Sequence, residues 1–274
     1  MKISAAFLYF LLIVACGSEK KNVYRGSTPA ANIIRLFLEI PLSDSVDFIR
    51  WKLTLIDNQY QLECNYGIGK PNTNGFINGG KKIGLNGAVR KVKDYYELQH
   101  RGNILKLTKL NADILHILNT DNSLLVGNGA WSYTLNNITP LSTDQINITA
   151  KQTVLKDSMA FEGRTPCHVP GIIGTGVECY KLKWYIVLYA NVEKNEPGNY
   201  KIYGTLWRKD DARTGNWKII AGKKGNIIYQ LADGKGNGFL YLLKLDEHIL
   251  MFTDAKGKLL VGDEDFSYTL NARR

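Results

Sequence analysis

Leu124-Leu-Val-Gly127 with Ser132-Tyr-Thr-Leu-Asn136 comes back near the end of the chain as Leu259-Leu-Val-Gly262 with Ser267-Tyr-Thr-Leu-Asn271. Working outward, residues 107–136 lie over residues 242–271 without a gap, and 14 of the 30 positions are identical. Self-similarity at that level marks a duplicated structural unit. Upstream the match loosens but persists. Trp51-Lys-Leu-Thr-Leu55 lies over Trp184-Tyr-Ile-Val-Leu188, Tyr60-Gln-Leu62 over Tyr200-Lys-Ile202, and Tyr96-Glu-Leu98 over Tyr229-Gln-Leu231. One domain is therefore expected over 32–136 and a second over 160–274. Residues 137–159, polar and carrying Pro140, read as a linker, and residues 16–31 as a flexible tether.

Within each unit the apolar residues alternate or form short solid runs rich in β-branched and aromatic types, bounded by turn dipeptides such as Asp233-Gly234 and Lys256-Gly257. That pattern predicts strands and hairpins. In the second unit strands are expected over 181–189, 199–207, 217–220, 226–231, 239–245, 249–253 and 266–270. Six or seven short antiparallel strands in one small unit leave open edges unless the sheet closes on itself. The expected fold class is accordingly all-β, two tandem small antiparallel β-barrels joined by a linker, with little helix beyond a turn in that linker.

The chain of 274 residues is 45% hydrophobic and 22% charged, which is globular composition and excludes a disordered or polytopic membrane protein. Lys2 precedes an apolar run from Ala5 to Ala15 that ends at Cys16. Eleven apolar residues are too few to span a bilayer but suit the core of a secretory signal over 1–15. Ile13-Val14-Ala15-Cys16 resembles the bacterial lipobox, which implies lipidation of Cys16 and a membrane tether. Gly17-Ser18 follow without an aspartate, so the expected address is the outer membrane, lipid-anchored. The net charge of +10 then reads as complementarity to an acidic envelope, and nucleic acid is not an expected partner.

Candidate chemistry is sparse. Cys167 and Cys179 close a short loop and are expected to form a disulfide in an exported protein. In competition with it, Cys167, His168 and Cys179 are the one grouping with soft or borderline metal ligands, suited to copper or zinc. Cys64 reads as a buried structural thiol. His100, His116 and His248 are isolated, and none recurs in the other copy. Asp263-Glu-Asp265 reads as a solvated turn. No serine-hydrolase elbow or zinc-protease motif occurs, so no catalytic residue is expected.

Phe161-Glu-Gly-Arg-Thr-Pro-Cys167, the strand carrying Trp184, Gly204-Thr-Leu-Trp207, and the closing Phe239-Leu-Tyr-Leu-Leu-Lys-Leu-Asp246 with Phe266-Ser-Tyr-Thr-Leu270 resemble the N-terminal domain of the NlpE-type envelope lipoproteins, also called copper-resistance lipoproteins. The resemblance covers most of the second unit and, through the duplication, the C-terminal half of the first. It implies lipocalin-like β-barrels with a non-catalytic role in envelope stress sensing or copper resistance, partnered by an envelope sensor or the lipoprotein-trafficking machinery. The family's Cys-x-x-Cys has no counterpart, since Pro170 stands at the second position. No cofactor is expected, with copper as the exception the family suggests. The alternative expectation is a lipocalin-like module holding a lipid or other apolar ligand.

Overall fold

The computed structural model describes residues 21–140, 146–147, 154–173 and 178–273. The first unit runs β1 (Lys21–Thr28), helix α1 (Asn32–Phe37), β2 (Phe48–Ile56), β3 (Gln59–Gly67), β4 (Lys81–Val92), β5 (Tyr95–His100), β6 (Asn103–Lys109), β7 (Ile114–Ile117) and β8 (Thr134–Asn137). The second runs β9 (Ser158–Thr165), β10 (Leu182–Asn191), β11 (Glu196–Gly204), β12 (Arg213–Ala221), β13 (Ile227–Ala232), β14 (Gly238–Lys244), β15 (Ile249–Thr253) and β16 (Thr269–Ala272). Each strand pairs antiparallel with its sequence neighbours, and β8 and β16 return to β1 and β9. The chain is therefore two closed eight-stranded barrels.

Alternation builds each wall. On β3, Tyr60, Leu62, Cys64 and Tyr66 are buried while Gln59, Gln61 and Glu63 face water, the period of a strand with one face on a core. Both interiors are filled by side chains. Trp51, Leu53, Tyr60, Leu62 and Leu98 are fully buried in the first barrel, and Ile186, Leu188, Tyr200, Tyr229 and Leu231 in the second. The same devices recur. Trp51 Nε1 donates to Thr28 Oγ1 and Trp184 Nε1 to Thr165 Oγ1, both at 2.8 Å. The rings of Tyr60 and Tyr200 occupy the space beside Gly87 and Gly215, where a Cβ would meet a ring carbon at 2.9 Å in either barrel.

The end of each barrel reached at Thr28 and Thr165 is its mouth; the end where β1 enters at Lys21 is its base. The two mouths are closed differently. In the first barrel α1 lies across the opening and buries Ile34, Phe37 and Leu38. In the second, the loop after Pro166 packs Val169, Ile172 and Ile173 onto the core and is fastened by a disulfide between Cys167 and Cys179.

Three expectations need correcting. The tether over 16–31 is not flexible throughout, because Lys21–Thr28 is β1 and pairs with β2 along its whole length. The first barrel thus begins before residue 32, and α1 is a helix outside the linker. Each barrel has eight strands, not six or seven; the uncounted one in the second unit is β9. Both β1 and β9 were hidden for one reason. Their inward positions include Gly26 and Gly163, which carry no side chain to register as apolar, and a Cβ at either would come within 2.6 Å of a carbonyl oxygen, that of Thr134 or Thr269.

Trp51→Phe and Trp184→Phe remove the same buried hydrogen bond from equivalent places. Each is expected to lower stability by about 1–2 kcal/mol, and urea unfolding should return similar losses for the two.

Candidate functional site

The strands β7, β8, β15 and β16 are buried on both faces, unlike the alternating walls elsewhere. Their outward faces meet one another and join the barrels side by side. Leu110 and Ile114 of the first barrel pack with Leu243, Leu245, Ile249 and Met251 of the second in one apolar cluster. Beside it, equivalent residues of the duplication touch. Ser132 and Ser267 hydroxyls lie 2.6 Å apart and Thr134 and Thr269 hydroxyls 3.1 Å apart, each pair separated by 135 positions. Asn136 Oδ1 accepts from Gly262 N–H at 2.9 Å and Asn271 Oδ1 from Gly127 N–H at 2.7 Å. This reciprocity is the signature of an isologous two-fold contact, here within one chain.

His116 ends the hydroxyl chain and is fully buried. Nε2 lies 2.9 Å from the Leu125 carbonyl and Nδ1 3.0 Å from Thr134 Oγ1. A carbonyl only accepts, so Nε2 carries the proton and Nδ1 accepts from the threonine. Burial pushes the imidazole down to about 4, with the Leu125 carbonyl pulling the other way.

Grooves lined by loops of both barrels lie at either end of this seam. At the base, Lys91 and Tyr95 of the first barrel face Lys224 of the second. At the mouths is a cleft of about 430 Å³, and here the side chains converge. On the first barrel's side, Phe76, Phe48 and Trp131 form a stacked column with ring centroids 4.2 and 4.6 Å apart. On the second barrel's side, the Arg164 guanidinium lies 5.5 Å from the Trp131 ring centre. Lys181 Nζ lies 4.8 Å from the Tyr180 ring and 5.5 Å from Phe266, and Lys183 pairs directly with Arg164 across β9 and β10. Burial lowers the proton affinity of both Arg164 and Lys181; for Lys181 the charges of Arg164 and Lys183 add to the effect.

Asp263-Glu-Asp265 is not simply a solvated turn. Asp265 binds Arg50 and Asn74 of the first barrel, Glu264 pairs with Arg25 at 3.0 Å, and Asp263 Oδ1 accepts from Asp265 and Phe266 N–H groups. Burial raises the Asp265 carboxyl while Arg50 opposes the rise.

Cys167 and Cys179 are joined, so both thiolates of the grouping with His168 are consumed by the disulfide; the metal expectation there is corrected by that bond. His168 is exposed beside it. No group of three or more metal-capable side chains occurs among the described residues. Cys64 is free and buried, and burial holds its thiol well above the usual range. His100 has Glu39 at 3.7 Å and His248 is exposed, so the structure does not bring the histidines together. Cys16 lies outside the described residues. The mouth cleft was not anticipated from sequence, because it is assembled from six separate segments of both units. Comparison with protein-family models, with curated proteins and with solved structures finds no match.

Two expectations follow. The folded imidazole of His116 titrates near 4, below its unfolded value of 6.5, so between those values only the unfolded chain takes up the proton. The contribution is whole above pH 6.5 and falls as pH drops towards 4, by about 3 kcal/mol in total. His116→Met, which copies the equivalent Met251, should flatten that part of a stability–pH curve measured by urea unfolding. Separately, thiol titration of the native protein should find neither Cys167 nor Cys179, and replacing both by serine should cost about 3 kcal/mol.

Proposed function

We propose that this chain is an exported, lipid-anchored, non-catalytic protein of the outer membrane that acts by recognition, in the manner implied by its resemblance to the NlpE-type lipoproteins. The observation that carries the reading is the Cys167–Cys179 disulfide. Such a bond persists in the periplasm or beyond and is rare in a reducing cytosol, and it accords with the signal-like run ending at Cys16. The buried polar groups support a structural and not a chemical use: His116 closes the seam and Glu97 binds Arg90. The envelope-sensing role and its sensor or trafficking partner come from the resemblance. Copper resistance draws less support, because the disulfide occupies both thiolates.

The lipocalin-like alternative also draws less support. An apolar ligand needs an empty interior, whereas the inward positions are taken by Trp51, Tyr60, Tyr200 and Tyr229, among others. Recognition is therefore assigned to the outer surfaces, where the loops of the two barrels meet.

Cys16→Ala tests the anchor. In a bacterial host fed radiolabelled palmitate, the native chain should carry label and sediment with outer membrane. The variant should lose both while keeping the disulfide. An unlabelled native chain in the soluble fraction would overturn the reading.

A further inference from the structure

We propose that the cleft between the two barrel mouths binds an anionic saccharide, a sugar unit bearing phosphate or carboxylate.

The case begins with a charge imbalance. Arg164 and Lys183 face each other directly on adjacent strands, and like charges so placed repel. Lys181 stands close enough to feel both. Among the described residues none of the three makes an ion pair. The equivalent place in the first barrel shows the contrast: there Ser27 faces Arg50, and Arg50 is neutralised by Asp265. Of the two carboxylates lining the cleft, Asp265 is bound to Arg50 and Asn74, while Asp47 Oδ2 accepts the Gly69 N–H at 2.8 Å and keeps its charge; with Lys70 also on the wall, four cations still face that one carboxylate. An anion in the cleft would supply the missing countercharge to Arg164, Lys181 and Lys183, and charge-assisted contacts of this kind are the strong ones.

The walls say what carries the anion. The Phe76, Phe48 and Trp131 column ends against Arg164, whose guanidinium lies 5.5 Å from the Trp131 ring centre. Tyr180 is half exposed and meets Phe266 edge-on, leaving an aromatic surface beside Lys181. Asn72 and Thr73 on the opposite wall are exposed polar side chains. One aromatic surface, several neutral hydrogen-bonding groups and a cluster of cations match a hydroxylated ring with an acidic substituent better than a lipid chain or a bare ion. The volume is in the range of small-ligand sites. The cleft opens at the end opposite Lys21, away from where the described chain begins.

The assignment does not depend on the lipid anchor, so it can fail while the anchor reading stands, and the reverse. The test is calorimetry on the full chain at low salt with glucose 1,6-bisphosphate and trigalacturonate as probes. Maltotriose, inorganic phosphate and hexathymidylate are the comparisons. At least one anionic sugar should bind with a Kd below about 1 mM, and maltotriose and phosphate much more weakly. Phosphate over carboxylate preference, or its reverse, identifies which acidic sugar is the ligand. Arg164→Ala and the exposed Lys183→Ala should each weaken binding by about tenfold, and raising salt should weaken it further. Tyr180→Ala should weaken the sugar but not phosphate, and Lys93→Ala at the base should change nothing. The proposal is overturned if neither acidic sugar binds, if phosphate alone binds as well, if hexathymidylate binds more tightly, or if Lys183→Ala has no effect.

Discussion

The whole arrangement depends on a sheet segment that must be covered by a copy of itself. A small closed barrel needs only its inner face apolar, and β3 with its strict alternation obeys that rule. On β7 and β15 the outer face is apolar as well, through Ile114, Ile249 and Met251. Left bare, such a face would invite association. Each barrel supplies the matching surface to the other. The Asn136 and Asn271 side chains then close the partner's backbone N–H groups in reciprocal fashion, which fixes register as well as adhesion.

That constraint explains why the internal repeat is strongest where it is. A residue on a two-fold seam meets its own counterpart, as Ser132 meets Ser267 and Thr134 meets Thr269. A change in one copy therefore disturbs the other, and the two sequences are held together. Away from the seam each barrel answers only to its own core, and the copies drift. The mouths show how far: one is stopped by a helix that buries Phe37, the other by a cross-linked loop. His116 against Met251 is the informative exception on the seam, because the histidine finds its second partner in the Leu125 carbonyl of its own barrel.

Much of the fold was legible for this reason. The repeated Leu-Leu-Val-Gly and Ser-Tyr-Thr-Leu-Asn gave the number of units, and short apolar runs such as Ile249–Thr253 placed strands to within a few residues. The disulfide was legible from two cysteines flanking one short loop. Strands β1 and β9 were not, since their inward faces rest on Gly26 and Gly163, where closeness of backbones replaces apolar bulk. Yet both are followed by Thr-Pro, at Thr28-Pro29 and Thr165-Pro166, and each threonine receives the indole of Trp51 or Trp184. The repeated Gly-x-Thr-Pro was the signal available for them. The cleft had no such signal, because Arg50, Trp131, Arg164, Lys183 and Asp265 are neighbours only after two barrels have closed and docked.

Duplication within one chain also permits what a symmetric dimer forbids. In a homodimer every charge near the two-fold axis faces its twin, so a cationic cluster on one side is a cationic cluster on both. Here Phe48 of the first barrel and Lys181 of the second occupy equivalent positions, one a rigid ring in a stack and the other an ammonium group beside Tyr180. Glu162 stands where the first barrel has Arg25, and Glu264 and Asp265 stand where it has Gly129 and Ala130. Asp265 neutralises Arg50, and among the described residues Lys70, Arg164, Lys181 and Lys183 line the cleft without an ion pair. The seam keeps the copies alike and in contact, and the mouths beside it are free to become unlike, so a polarised site arises where both barrels supply loops and neither is bound to match the other.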